Sequence, residues 1–396
     1  MHAPDDRLAR RNALVLAGAQ ALGGASPSIV ISVGGLVGQA IAENKLLATL
    51  PVSTLNLGLA LSTIPAALLM RRVGRRNGYV IGATLGVVAG CVAAYAIAAA
   101  NFALFCLATA IAGGYGAFVQ SYRFAAADSA SPAFRARAIS WVMAGGLAAG
   151  IIGPQVVIWS RDVVPGALFA GAFLGQAVLA FLSMAVLAAL RAPPVEAEAA
   201  RGGGRPLGEI MRQPRFVVAV LAGLTSYGLM SFMMTAAPLA MVGCGHSVDL
   251  AALGISLHIL AMFGPSFVTG SLIDRYGKER ITAAGLVLIA AAAAVGLSGL
   301  GVAHFWIALV LLGLGWNFGF IGATAMVTDC YRPEERAKVQ AANDFLVFGS
   351  VALASFSSGK LLNLGGWETL NWLVLPPVAL TLLLLAWQAR ARAVAA

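Results

Sequence analysis

Two pairs of residues at helical spacing stand out in the second half of the chain. The stretch YGLMSFMMTAAPLAM (residues 227–241) places Met230 and Met234 four apart, and ISLHILAM (255–262) places His258 and Met262 four apart. Residues four apart share one face of an α-helix. Counted from the hairpin between the two segments at about 1.5 Å per residue, Met230 and His258 both lie roughly 15 Å deep. Three thioethers and one imidazole could therefore surround one volume. Thioether is a soft neutral ligand suited to Cu(I), and imidazole takes copper in either oxidation state as well as zinc or nickel. Hard cations want oxygen ligands, and these positions offer none. Met241, Cys244 and His246 lie toward the hairpin and form a candidate access path. The same residues have a plainer reading. Methionine fills gaps in apolar cores, and a lone intramembrane histidine often bonds a neighbouring backbone. On the residues alone, both readings stand.

The elements that carry these pairs are membrane spans. The chain has 396 residues, is 60% hydrophobic and only 11% charged, against roughly a quarter charged in soluble domains. Uncharged runs of about 20 residues recur along it, each long enough to cross a bilayer core of roughly 30 Å as a helix. Alternating strand patterns are absent, and 46 glycines suit closely packed helices. The expected class is all-α, a polytopic membrane protein of twelve transmembrane helices. The spans fall near 13–37, 46–70, 78–100, 102–126, 138–160, 166–190, 215–241, 248–272, 281–301, 303–327, 339–363 and 367–388. A polar, Gly- and Pro-rich linker at 192–214 separates a first half (1–191) from a second (215–396). Four scattered cysteines make neither a disulfide framework nor a metal knuckle. The charged start MHAPDDRLARRN lacks the pattern of a cleavable signal. No basic stripe with interleaved aromatics points to nucleic acid.

Lys and Arg set the expected orientation. Twenty-two of them fall in the termini, the linker and one set of loops, against three (Lys45, Arg161, Lys360) in the opposite loops. Both termini are expected in the cytoplasm. The halves also repeat. DSASPAFRAR (128–137) matches DCYRPEERAK (329–338), and MRRVGRRN (70–77) sits where IDRYGKER (273–280) sits. Parallel repeats of this kind place a substrate site at their interface near the midplane.

These loops carry a specific resemblance. GSLIDRYGKER (270–280) is similar to the signature loop of the major facilitator superfamily, with Gly270, Asp274, Arg275 and Gly277 in place. The first-half copy departs from it at Ala67 and Arg71, and the drug-antiporter patterns of spans four and five are incomplete at Ala110 and after Gly153-Pro154. The resemblance implies the two-half major facilitator fold over the whole chain. Within that superfamily, MxxxM on span seven followed by HxxxM on span eight resembles the copper-importing, CcoA-like branch. That finer likeness implies copper uptake across the bacterial cytoplasmic (inner) membrane by alternating access, for assembly of cbb3-type cytochrome c oxidase. Copper is then the cargo, with no prosthetic group. Met230, Met234, His258 and Met262 are its ligands, and copper chaperones and the lipid bilayer are partners. Related members of the branch carry riboflavin.

The alternative is therefore an organic-solute carrier, riboflavin first, indifferent to His258 and with a cavity lined by Trp141, Trp316, Tyr115 and Tyr227. Gln120, Gln155, Gln176, Asn56 and Asn317 are polar groups that either line a cavity or bond between helices. No nucleophile–base pairing or acid at mid-depth supports an enzyme, and no loop is long enough for the output domain of a sensor. Arg123 in span four and Asp344 in span eleven form a candidate cytoplasmic gate between the halves. If they pair, Arg123→Glu impairs uptake several-fold and adding Asp344→Arg restores part of it. A double variant no better than either single one breaks the pairing.

Overall fold

The computed structural model describes residues 6–128, 130–131, 134–191, 204–332 and 335–395. Part of the expected linker, 192–203, lies outside the described residues, as do 129 and 132–133 of one repeated loop and 333–334 of the other. Among the described residues all regular structure is helical: α1 (Arg7–Gly23), α2 (Ala25–Ile41), α3 (Leu50–Val73), α4 (Arg75–Ala98), α5 (Phe102–Gln120), α6 (Tyr122–Asp128), α7 (Arg135–Ser160), α8 (Ala170–Ala188), α9 (Leu207–Met211), α10 (Pro214–Gly243), α11 (Val248–Phe263), α12 (Ser266–Tyr276), α13 (Lys278–Ser298), α14 (Val302–Val327) and α15 (Arg336–Ala395). Ten spans are long and apolar enough to cross a membrane, and α1 with α2 run on as one of them. α11 and α12 make a further span bent by 42°. α15 takes in two helices, the last two expected spans, which meet at a kink. It is broken only at Gly366, whose φ of 71° and ψ of −177° leave the helical region. Counted this way, the described residues give the twelve crossings expected.

The chain divides into two compact units. The first comprises Met1–Ala197 with Ser247–Ser256. In it α1 packs on α7, α3 on α5 and α4 on α8. Small residues set these distances: a Cβ on Gly113 would stand 2.0 Å from the Leu55 carbonyl oxygen, and one on Gly145 would stand 2.2 Å from that of Ala17. Its core holds three fully buried tyrosines, Tyr79, Tyr115 and Tyr122, the first and last edge to face at 4.8 Å.

The second unit comprises Glu198–His246 and Leu257–Ala396. Here α13 packs on α14, and α10 packs on both α14 and α15. Gly285 meets Gly319 so closely that a Cβ would lie 2.2 Å from the Gly319 nitrogen. The internal repeat extends to backbone conformation. Gly74 (φ 80°, ψ 158°) ends α3, and Gly277 (φ 90°, ψ 152°) ends α12 in the same positive-φ region. The signature loop thus turns on Gly277, with Asp274 and Arg275 exposed and the Arg275 guanidinium 5.3 Å from the Tyr276 ring. Gly270 faces open space.

The end of this unit that receives the linker is held by charge. Asp329 pairs with Arg215 and with Lys278, the latter at 2.6 Å, and Arg215 also reaches Glu279 at 3.1 Å. Glu335 is enclosed. Its Oε1 accepts from the Arg205 backbone N–H (2.7 Å) and Nε (3.0 Å), and its Oε2 accepts from Arg205 Nη2 (2.8 Å) and the Arg332 N–H (2.9 Å). These bonds, the Arg205 guanidinium first, hold the Glu335 carboxyl well below the usual carboxylate range. Because the native value is depressed, the stabilisation is complete above the unfolded value of about 4.3 and is lost as pH falls below it. Glu335→Gln therefore lowers the melting temperature in detergent at pH 7, and the gap to the wild type narrows once the pH drops below about 4. A gap independent of pH refutes this account.

Candidate functional site

The Met and His residues of α10 and α11 are interior. Met230, Met234 and Met262 are 1%, 7% and 6% exposed, and His258 is fully enclosed. His258 Nδ1 stands 2.7 Å from the Leu309 carbonyl on α14. A carbonyl only accepts, so Nδ1 carries the proton and Nε2 is left as a buried acceptor, for which no protein partner is found. At the hairpin, Met241 is fully buried, Cys244 is an exposed free thiol, and His246 Nε2 is 2.7 Å from the Leu300 carbonyl. His246 therefore ties the α10–α11 hairpin to the connection between α13 and α14. Among the described residues no group of three or more His, Cys, Asp or Glu side chains converges.

Immediately past Met262 the helix breaks at Gly264 and Pro265. Proline has no N–H to donate, and the last carbonyls of α11 lose their intrahelical partners. Asn317 on α14 repairs this. Its Nδ2 donates to the Met262 carbonyl at 2.6 Å and to Ser266 Oγ at 2.8 Å, and its Oδ1 accepts from the Thr269 hydroxyl at 2.6 Å. Of the two roles open to Asn317, it takes the interhelical one.

One turn away a set of rings converges. Tyr227 of α10 lies edge-on to Trp316 (5.3 Å between centroids) and Phe320 (5.0 Å) of α14 and to Phe348 (5.8 Å) of α15. Trp316 stacks on Phe320 at 5.4 Å with planes 19° apart, and touches Phe263 at the end of α11 at 5.9 Å. Four elements of one unit thus contribute to one cluster. Tyr227, Phe263, Phe320 and Phe348 are only half-buried, so part of their ring surface is open. Tyr227 and Trp316 each stand about twenty ångströms, thirteen or fourteen residues, into their helices. Tyr227 and Trp316 are expected from sequence. Phe263, Phe320 and Phe348 are not, although the run GWNFGF (315–320) sets Trp316 and Phe320 four apart on one face.

The other two expected cavity aromatics go elsewhere. Tyr115 is fully buried, its hydroxyl against Gly23. Trp141 packs edge-on to Phe134 at 5.3 Å. Arg123 is exposed with its guanidinium 4.8 Å from the Phe124 ring, and Asp344 is exposed and accepts from Asn343 Nδ2 at 3.2 Å. Arg123 belongs to the first unit and Asp344 to the second.

The sequence pattern of the Major Facilitator Superfamily matches residues 12–318 and 219–395. A riboflavin transporter of Brucella anthropi, RfnT, is 61% identical over 394 residues, covering 99% of this chain and 99% of that protein. An uncharacterized MFS-type transporter of Bacillus subtilis, YdeG, is 30% identical over 372 residues, covering 89% and 86%. Among solved structures, the nucleoside transporter NupG in a mutant form superposes with a TM-score of 0.78 over 96% of this chain and 99% of that one, at 12% identity. That likeness concerns the fold alone.

Full-length identity of 61% to a riboflavin transporter overturns the copper reading. Copper as cargo, copper chaperones as partners and the supply of cytochrome oxidase are withdrawn with it. The physical reason lies in what the spacing meant. Thioethers four apart make a packing stripe as readily as a ligand pair, and here they are enclosed by neighbouring side chains. His258 makes the backbone bond of the plainer reading, to Leu309 on the neighbouring α14.

The geometry at the bend makes one expectation. Asn317→Leu strands the Met262 carbonyl in a buried site, and each orphaned group costs about 1–3 kcal/mol. The variant should melt several degrees lower in detergent and transport poorly. An unchanged melting temperature contradicts the clasp.

Proposed function

We propose that this chain, which belongs to the major facilitator superfamily, carries riboflavin into the bacterial cell across the cytoplasmic membrane. The observation that carries the reading is the 61% identity to a riboflavin transporter across 99% of both chains. A relative at that distance differs at many positions but has no room for a different architecture. The aromatic cluster of the second unit supports the same cargo. An isoalloxazine is a broad, flat, apolar ring system with polar edges. Half-buried rings suit it, since aromatic contacts add roughly 0.5–1.5 kcal/mol each beyond the apolar area they cover. The cluster around Tyr227 offers such contacts at mid-depth. The protein is a carrier and not an enzyme.

The two halves of the sequence, 1–191 and 215–396, separated by the 192–214 linker, are the units of alternating access. Cytoplasmic termini are supported by the charge asymmetry, twenty-two Lys and Arg in the termini, the linker and one set of loops against three in the opposite loops. Arg123 and Asp344 remain the proposed inner gate.

The test is growth and uptake. A bacterial riboflavin auxotroph without its own transporter, given this protein, should grow at a riboflavin concentration at least tenfold lower than the vector control and accumulate labelled riboflavin. Whole-cell copper, zinc and nickel should be the same in both strains. Growth no better than the control with the protein present in the membrane refutes the assignment.

A further inference from the structure

Several polar atoms of the second unit are sealed from solvent and have no protein partner. One of them belongs to the aromatic cluster itself: the indole Nε1 of Trp316, a residue 7% exposed. Indole N–H is donor only, and a buried Trp usually finds an acceptor. Its immediate neighbour in sequence, Asn317, bonds Met262, Ser266 and Thr269 at the bend and makes no bond to Trp316. A second unsatisfied group lies close by. Ser226 Oγ also has no partner and fills the notch of Gly319, three residues past Trp316, where a Cβ would stand 2.3 Å from it. Ser226 is adjacent in sequence to Tyr227, the hub of the cluster.

An apolar residue would pack at position 316 without leaving a donor unpaired. Retaining an indole whose N–H is unsatisfied in this state makes physical sense if another state satisfies it. Tyr227, Phe320, Phe348 and Phe263 are only half-buried, which leaves aromatic surface for a further flat ring. A flat ring bearing a carbonyl at its edge would bring an acceptor with it. We infer that Trp316 is a specificity-determining residue for the cargo: its Nε1–H donates to a ring carbonyl oxygen of a planar heteroaromatic solute as that solute packs against the Tyr227–Trp316–Phe320 cluster. The inference rests on the riboflavin reading and adds what that reading leaves open, the chemical feature that is read and the atom that reads it. The bond exists only in the loaded state. It therefore contributes to discrimination among flat solutes, which stacking alone tolerates broadly. A site built to hydrogen-bond one group rejects analogues lacking it more strongly than an apolar pocket rejects an extra methylene.

The experiment compares riboflavin with its 2-thio and 4-thio analogues as competitors of labelled riboflavin uptake in the auxotroph. Sulfur is a weaker and larger acceptor than oxygen. In the wild type, one of the two analogues should compete roughly three- to tenfold less well than riboflavin, the range set by one neutral hydrogen bond. In Trp316→Phe, which keeps a ring but has no N–H, the half-saturating riboflavin concentration should rise by a similar factor. The preference for oxygen over sulfur should also disappear. Trp316→Leu, also without a donor, should lose the same preference. A donor-less variant that merely packs badly would lower the rate or the amount in the membrane and leave the preference intact. If either variant retains the wild-type preference, or if the wild type shows none, the assignment to Trp316 is overturned while riboflavin transport stands. If the wild type takes up no riboflavin, both readings fall together.

Discussion

In the hydrocarbon of a membrane no water arrives to complete a hydrogen bond, so each backbone N–H and C=O must find its partner within the chain. Every large feature of this protein answers to that constraint. Helices satisfy the backbone locally, and the described regular structure is helical throughout. Side-chain hydroxyls within the spans bond back to carbonyls of their own helix, as Ser32 does to Ser28 at 2.7 Å and Thr381 to Pro377 at 2.8 Å. Where a helix must break, another element supplies the lost partner. Gly264 and Pro265 interrupt a span at mid-course, and Asn317 arrives from α14 with donors for Met262 and Ser266. The adjacent Trp316 enters the aromatic cluster, so the residue that repairs the backbone also fixes the height of its neighbour.

With the backbone satisfied, helix association depends on how closely surfaces approach, since lipid is as apolar as leucine. Glycine at the contact gives that approach, as at Gly113 against Leu55 and Gly285 against Gly319. The two copies of the internal repeat agree where geometry is demanding and differ where chemistry is free. Gly74 and Gly277 adopt nearly the same positive-φ, extended-ψ conformation, a region essentially confined to glycine. At the matching loop positions Phe134 and Glu335 the solutions diverge. Phe134 packs against Trp141 and under the Arg10 guanidinium at 5.5 Å. Glu335 is enclosed by Arg205 and two backbone donors. One copy anchors its loop by ring contacts and the other by an enclosed ion pair.

How far the sequence could be read follows from the same division. Hydropathy, the 3.6-residue period and the GSLIDRYGKER loop are local signals, and they carried the spans, the superfamily and the turn at Gly277. They also placed the break between the last two spans, at Gly366, but missed that 248–272 would bend, because Gly in a membrane helix is equally a contact residue and a break. The candidate site was harder. Met230, Met234, His258 and Met262 are paired by spacing, but spacing says nothing of what lies opposite a face. The partner of His258 is Leu309, fifty-one residues away. The cluster that supports the cargo reading assembles Tyr227, Phe263, Trp316, Phe320 and Phe348 from four helices. To hydropathy these residues are simply more of the apolar background, so Phe263, Phe320 and Phe348 went unread.

The contrast between soft ligands and aromatic rings also bears on what a carrier needs. A carrier must bind on one side and let go on the other, so no single contact can dominate. A metal cage concentrates its free energy in a few short bonds and meets this demand only with weak ligands. A flat organic cargo meets it differently. Apolar area contributes roughly 25 cal/mol per Å² whichever way the ring slides, and a ring cluster spread over four helices can part gradually as those helices move. Selectivity then has to come from a polar group whose satisfaction depends on the cargo. A buried donor left unpaired in the empty state is such a group: it costs the empty protein some stability, returns that cost on binding, and ties recognition to one atom of the solute without adding a contact that survives release.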